Sequence, residues 1–77
     1  MKSVKIRLST IPAIRDFVNI VMAYDGEIDL ISGRYVVDAK SIMGIFSLDL
    51  LSPITLQTEI PEADDLIAKL QDYIVKE

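Results

Sequence analysis

The sequence predicts an α+β domain of two layers, helices on one face of a β-sheet, in the order β-α-β-β-α-β-α. Three observations lead there. Val4, Ile6 and Leu8 alternate with Lys5 and Arg7, the period of two that marks a half-buried strand. Two longer stretches, around Ile14 to Met22 and Ala63 to Ile74, carry apolar side chains at three- and four-residue spacing instead. The whole chain has 77 residues, enough for one domain over residues 1–77 with a core near the lower limit for independent folding.

Each element follows from local chemistry. Ser3 to Leu8 forms the first strand. Ser9 and Thr10 then offer hydroxyl N-caps, and Pro12 suits a helix's first turn, where its missing N–H is not needed. Ile14, Phe17, Val18, Val21 and Met22 continue that helix to a stop at Tyr24-Asp25-Gly26. Ile28 and Leu30 mark a second strand, joined through Ser32-Gly33-Arg34 to Tyr35-Val36-Val37 as a tight hairpin. A short helix from Ile42 to Leu48 with Ser41 as its cap comes next. Beyond Pro53, Ile54, Leu56 and Thr58 alternate with Thr55, Gln57 and Glu59 as a fourth strand, closed by Pro61. Ala63, Leu66, Ile67, Leu70, Tyr73 and Ile74 trace the stripe of the last helix. Its first turn is acidic (Glu62, Asp64, Asp65) and Lys76 lies in its last, the polarity a helix dipole favours.

Charge narrows the partners. Residues 1–40 hold six basic and five acidic side chains, a net of +1, whereas residues 41–77 hold two basic and seven acidic, a net of −5. Nucleic acid needs a concentrated basic face and is not expected as a ligand. No uncharged run approaches the roughly 18 residues of a membrane span, and Lys2, Lys5 and Arg7 interrupt any secretory segment behind Met1. No membrane contact is expected, and the expected setting is the cytoplasm. Cysteine and histidine are both absent, so thiolate zinc sites and imidazole chemistry are excluded. Asp25, Glu27 and Asp29 cluster in sequence but lack the loop of a calcium-binding hand and read as a solvated strand edge. No metal and no cofactor are expected, nor is catalysis, because no nucleophile is paired with a base and no glycine-rich phosphate loop is present.

The stretch Lys40-Ser41-Ile42-Met43-Gly44-Ile45-Phe46-Ser47-Leu48 resembles the K-S-I-M-G-[VI]-[MF]-S-L segment of HPr, the histidine-containing phosphocarrier of the bacterial sugar phosphotransferase system. The resemblance implies that family's open-faced sandwich, a four-stranded antiparallel sheet covered on one face by three helices. It also implies that Ser41 is a target of a regulatory kinase whose product docks on a transcriptional regulator. Two readings fit Ser41: an N-cap alone, or an N-cap that also accepts phosphate. The family's chemistry lies in a G-[IL]-H-A-R-P-A motif, to which Leu8-Ser9-Thr10-Ile11-Pro12-Ala13 corresponds here. Aligning the proline and alanine puts Ser9 at the histidine and Ile11 at the arginine. Counting back from Ser41 puts Thr10 and Pro12 there. Either way imidazole and guanidinium are both missing.

A hydroxyl needs an activating base and then forms a stable ester, so phosphate relay is not expected of this chain. The resemblance therefore implies a regulatory or adaptor protein of carbon catabolite regulation. The rival reading is a phosphoryl acceptor that uses Ser9 or Thr10. Arg15, one turn beyond Ile11, reads either as a solvated residue or as a stand-in for the lost arginine. The apolar segment Ile42, Met43, Ile45, Phe46, Leu50 and Leu51 exceeds what a two-turn helix buries, and together with Thr10 it is the expected contact surface for protein partners. In the family those are enzyme I, sugar-specific subunits and regulators. Core packing is the other reading of the segment. A homodimer formed through the patch, including exchange of the first strand, is a further expectation.

Overall fold

The computed structural model describes residues 1–75. Its elements are β1 (Lys2–Ile6), α1 (Ile11–Val21), β2 (Ile28–Ser32), β3 (Tyr35–Asp38), α2 (Ile42–Phe46), β4 (Ile54–Thr58) and α3 (Ala63–Lys69). The strands form one antiparallel sheet in the spatial order β1-β4-β2-β3. Pairing aligns Ile6 with Ile54 and Val4 with Leu56, and Leu56 with Leu30. Every second side chain therefore joins one apolar face, as the period of two requires.

That face meets the helices. Ile14, Phe17 and Val21 of α1, Ile45 of α2 and Leu66 of α3 are buried against Ile6, Ile28, Leu30, Ile54 and Leu56. Leu8, just beyond the end of β1, is buried as well, so the core continues past the last paired residue. The buried polar side chain Thr58 is satisfied locally: its hydroxyl donates to the Glu27 carbonyl at 2.8 Å and accepts from the Ile60 N–H at 3.2 Å. The other face, carrying Ser3, Lys5, Gln57 and Thr55, is open.

Two helices are shorter than their apolar stripes predict. α2 ends at Phe46 rather than Leu48, because the Ser47 and Leu48 N–H groups bond three residues back and the Ser47 hydroxyl donates to the Gly44 carbonyl at 2.6 Å. α3 ends at Lys69, and Tyr73 and Ile74 leave the helical stripe. Ile74 forms a β-bridge with Ile6, while the Arg7 N–H donates to the Tyr73 carbonyl at 2.8 Å and the Val75 N–H to the Lys5 carbonyl at 2.9 Å. Strand-like pairing satisfies backbone groups on the edge of β1 that another helical turn would leave without partners, and the Tyr73 ring packs edge-on against Phe17 with centroids 6.1 Å apart. Lys76, expected in the last turn of that helix, lies outside the described residues.

The Gly26 backbone at the α1–β2 corner has φ 106°, and a Cβ there would lie 2.6 Å from Ile60 Cγ2. Glycine is required on both counts. Tyr24 fastens the same corner to α3: its hydroxyl donates to Asp65 Oδ2 at 2.5 Å and Lys69 Nζ lies 5.5 Å from its ring centroid. The Asp65 hydrogen bond raises the Tyr24 pKa, and the bond to Tyr24 raises that of Lys69.

Candidate functional site

The site is built where the start of α1 meets α2. Thr10 has extended backbone (φ −135°, ψ 158°) and is the N-cap of α1; its Oγ1 accepts the Ala13 N–H at 3.1 Å. A hydroxyl here satisfies one donor that the helix leaves unpaired. Ser9 precedes the cap and is exposed. Ser41 plays the same part for α2: its Oγ accepts the Gly44 N–H at 3.1 Å, and its backbone carbonyl accepts the Ile45 N–H at 3.0 Å.

Between the start of α1 and the end of α2, with the loop that follows it, runs an open groove of about 250 Å³, lined by Arg7, the run from Leu8 to Ile11, Ile14, Phe46, Leu50 and Leu51. Its walls are mainly carbon. Ile11 (60% exposed), Phe46 (45%) and Leu51 (90%) stand open on its surface, and Met43 (76%) extends the apolar patch one turn back along α2. Removing such side chains from water is a favourable contribution to a complex.

The structure divides the apolar segment in two. Ile45 is fully buried and belongs to the core, so its expected place on the contact surface is corrected. On a five-residue helix lying over a sheet, one position must point down, and Ile45 is that position. Ile42 and Leu50 are half-buried against the core. Met43, Phe46 and Leu51 remain outside. Thr10 and Leu51 line one groove despite the forty residues between them in sequence.

Arg7 and Ile11 belong to this site although neither was expected on its contact surface. Ile11 continues the Ile14, Val18, Val21 spacing by one turn and emerges at the groove instead of entering the core. Its sequence signals were that extra turn of stripe and its alignment with the arginine of the family motif. Arg7 alternates with buried strand residues and reads as solvent-facing; the turn of the chain after β1 brings it to the rim. Arg15 is exposed and absent from the groove lining, which leaves Arg7 as the lining cation. Asp25, Glu27 and Asp29 lie at a different groove, beside Glu59. Among the described residues no three His, Cys, Asp or Glu side chains are grouped to hold a metal ion, and no helix is long and apolar enough to cross a membrane.

Known proteins resemble this chain over nearly its full length. The family model described as "PTS HPr component phosphorylation site" matches residues 11–76, starting one residue after Thr10. A crystal structure of HPr-C-His from Thermoanaerobacter tengcongensis superposes with a TM-score of 0.79 at 29% identity, covering 94% of this chain and 89% of that one. The phosphocarrier protein HPr from Bacillus anthracis strain Ames gives 0.71 at 32% identity, covering 96% and 94%. The Mycoplasma histidine-containing phosphocarrier gives 0.72 at 21% identity, covering 92% and 86%, a likeness of fold. No curated protein matches the sequence.

Proposed function

The chain belongs to the HPr family of the phosphotransferase system, and from that premise we propose that it is a regulatory or adaptor member that binds protein partners without carrying phosphate. The observation that carries this reading is chemical: the 77 residues contain no histidine. Imidazole transfers phosphate near neutral pH because its free nitrogen is nucleophilic and the product is labile. Thr10 and Ser9 each have a hydroxyl, but no imidazole is present to activate either. An ester at either position would be a stable end product.

Recognition needs none of that chemistry. The apolar surface formed by Ile11, Met43, Phe46 and Leu51, with Arg7 at its rim, is the part suited to a protein partner. Ser41 lies beside it in sequence, half-buried at the cap of α2. Phosphorylation at Ser41 is the proposed control: it adds charge next to the docking surface. The protein is not an enzyme in this reading, and it works in the cytoplasm among phosphotransferase proteins or a transcriptional regulator.

Incubation with enzyme I and labelled phosphoenolpyruvate is the test. No acid-labile label should appear on the chain, and its appearance would overturn the non-carrier reading. Incubation with the serine kinase and ATP tests control: wild type should take label and Ser41→Ala should not. Equal labelling of the two removes Ser41 from the proposal.

A further inference from the structure

The two edges of the sheet are treated differently. Along β1, the Tyr73 to Val75 segment pairs with the backbone and covers the edge. Along β3 no described residue does so, since that strand pairs only with β2. An uncovered edge is a template for another strand, and proteins usually blunt it with proline, a bulge or central charges. Tyr35-Val36-Val37 has none of these, although β3 is only four residues long and ends in Asp38, and Tyr35 and Val36 are 66% and 60% exposed.

We infer that β3 is a self-pairing edge that joins two copies of this chain, antiparallel, across a two-fold axis passing through Val36. The hydrogen-bond phase fits this register. Ser32 and Tyr35 flank a two-residue turn and so form a hydrogen-bonded pair, which makes the next pair, Ile31 and Val36, a non-hydrogen-bonded one. The Ala39 N–H bond to the Ile28 carbonyl at 2.8 Å continues the alternation. The Val36 N–H and C=O therefore point away from β2, and two of them facing each other across the axis exchange both bonds.

Side chains select the same register. With Val36 on the axis, Tyr35 of one copy lies opposite Val37 of the other on the helix side, a favourable aromatic and β-branched pair. Arg34, in the turn just before β3, comes beside the second copy's Asp38 at the end of the paired segment. Moving the axis to Val37 instead sets Arg34 against Lys40, and moving it to Tyr35 sets Asp38 against Ser32. Only the Val36 register pairs opposite charges.

Within one chain Asp38 Oδ1 accepts the Lys40 N–H at 2.8 Å, but among the described residues these charges form no ion pair. Asp29 and Asp38 face each other across β2 and β3 as like charges. Among the described residues Arg34 makes no ion pair, and the nearby Lys40 ammonium donates to the Gly26 carbonyl at 3.0 Å instead. A second copy's Arg34 supplies the cation that the acidic pair lacks. The strand has four residues, so the interface is smaller than the roughly 1,000 Å² of a stable complex and the association is weak and reversible.

The test is the mass in solution over a dilution series, by sedimentation equilibrium, up to about 1 mM chain, the range where so small an interface is populated. The average should climb from 8.6 kDa toward twice that value. Val36→Lys places like charges on the axis and should raise the dissociation constant by up to about five-fold. Arg34→Asp and Asp38→Arg should each weaken self-association, yet an equimolar mixture of the two should associate again, because each supplies the charge the other lost. Thermal melts of the three variants confirm that each is folded. A mass fixed at 8.6 kDa throughout overturns the inference. So does a dimer indifferent to Val36→Lys but broken by Leu51→Asp, which would place the contact in the apolar groove, and so does a charge-variant mixture that stays monomeric.

Discussion

Replacing Ile45 by Val and, separately, Leu51 by Ala distinguishes the core part of the apolar segment from its exposed part. Ile45 is fully buried, so deleting one methylene leaves a small void in a packed interior at a cost of about 0.5–1.5 kcal/mol. Leu51 is 90% exposed, and truncating it should change stability by no more than about 0.5 kcal/mol although three carbons are lost. With a urea m-value near the ~1 kcal/mol/M of a small domain, the Ile45 change lowers the unfolding midpoint by roughly 0.5–1.5 M. Leu51→Ala leaves the midpoint nearly where it was. Urea titration followed by far-ultraviolet circular dichroism reads both. If Leu51→Ala were as destabilising as Ile45→Val, Leu51 would be covering the core, and the apolar surface on which the proposed partner binding rests would be gone. The same pair separates stability from recognition: Leu51→Ala should weaken capture of a phosphotransferase partner, and Ile45→Val should leave it intact.

Ser41→Ala removes the acceptor of the Gly44 N–H and should cost about 1 kcal/mol, while Ser41→Asp, also a good cap, should cost only a few tenths. In a calorimeter the alanine variant should melt roughly 4–8 °C lower; equal melting of all three forms would remove the cap from the account. Gly33→Ala, at φ 61° with open space around it, should cost about 1 kcal/mol from backbone strain alone. Gly26→Ala adds the collision with Ile60 and should cost clearly more by urea titration. Stability should also fall in alkali. The folded state holds the Tyr24 and Lys69 protons more tightly than the unfolded chain does, so their contribution is full below roughly pH 10 and disappears as pH climbs through the raised values. Tyr73, raised by burial, acts in the same direction. Tyr24→Phe should make the alkaline decline shallower in pH-dependent melts.

Much of this molecule was legible in its sequence because local patterns and tertiary demands agree. Val4, Ile6 and Leu8 alternate because one sheet face is wet and the other dry, and the hydroxyls of Thr10 and Ser41 mark helix starts because helices leave N–H groups unpaired there. The missing imidazole was equally plain, since absence of a residue type needs no coordinates. Periodicity misled where two structures suit one pattern. Tyr73 and Ile74 continue the α3 stripe, but an open strand edge on β1 offered their backbone better partners.

The segment from Ile42 to Leu51 shows the same limit at the site. Its excess of apolar residues could be counted in advance, but which of them face inward depends on where the sheet lies beneath α2. Ile45 was taken into the core and Leu51 was left out by packing between residues distant in sequence. Residue types alone determined that no imidazole is present, and their spacing determined the order of the elements. Only the folded chain decided that Arg7, Thr10, Phe46 and Leu51 share one groove and that β1, rather than β3, has its edge covered. Adjacency across a sheet is set by register and burial, and no single strand or helix encodes either by itself.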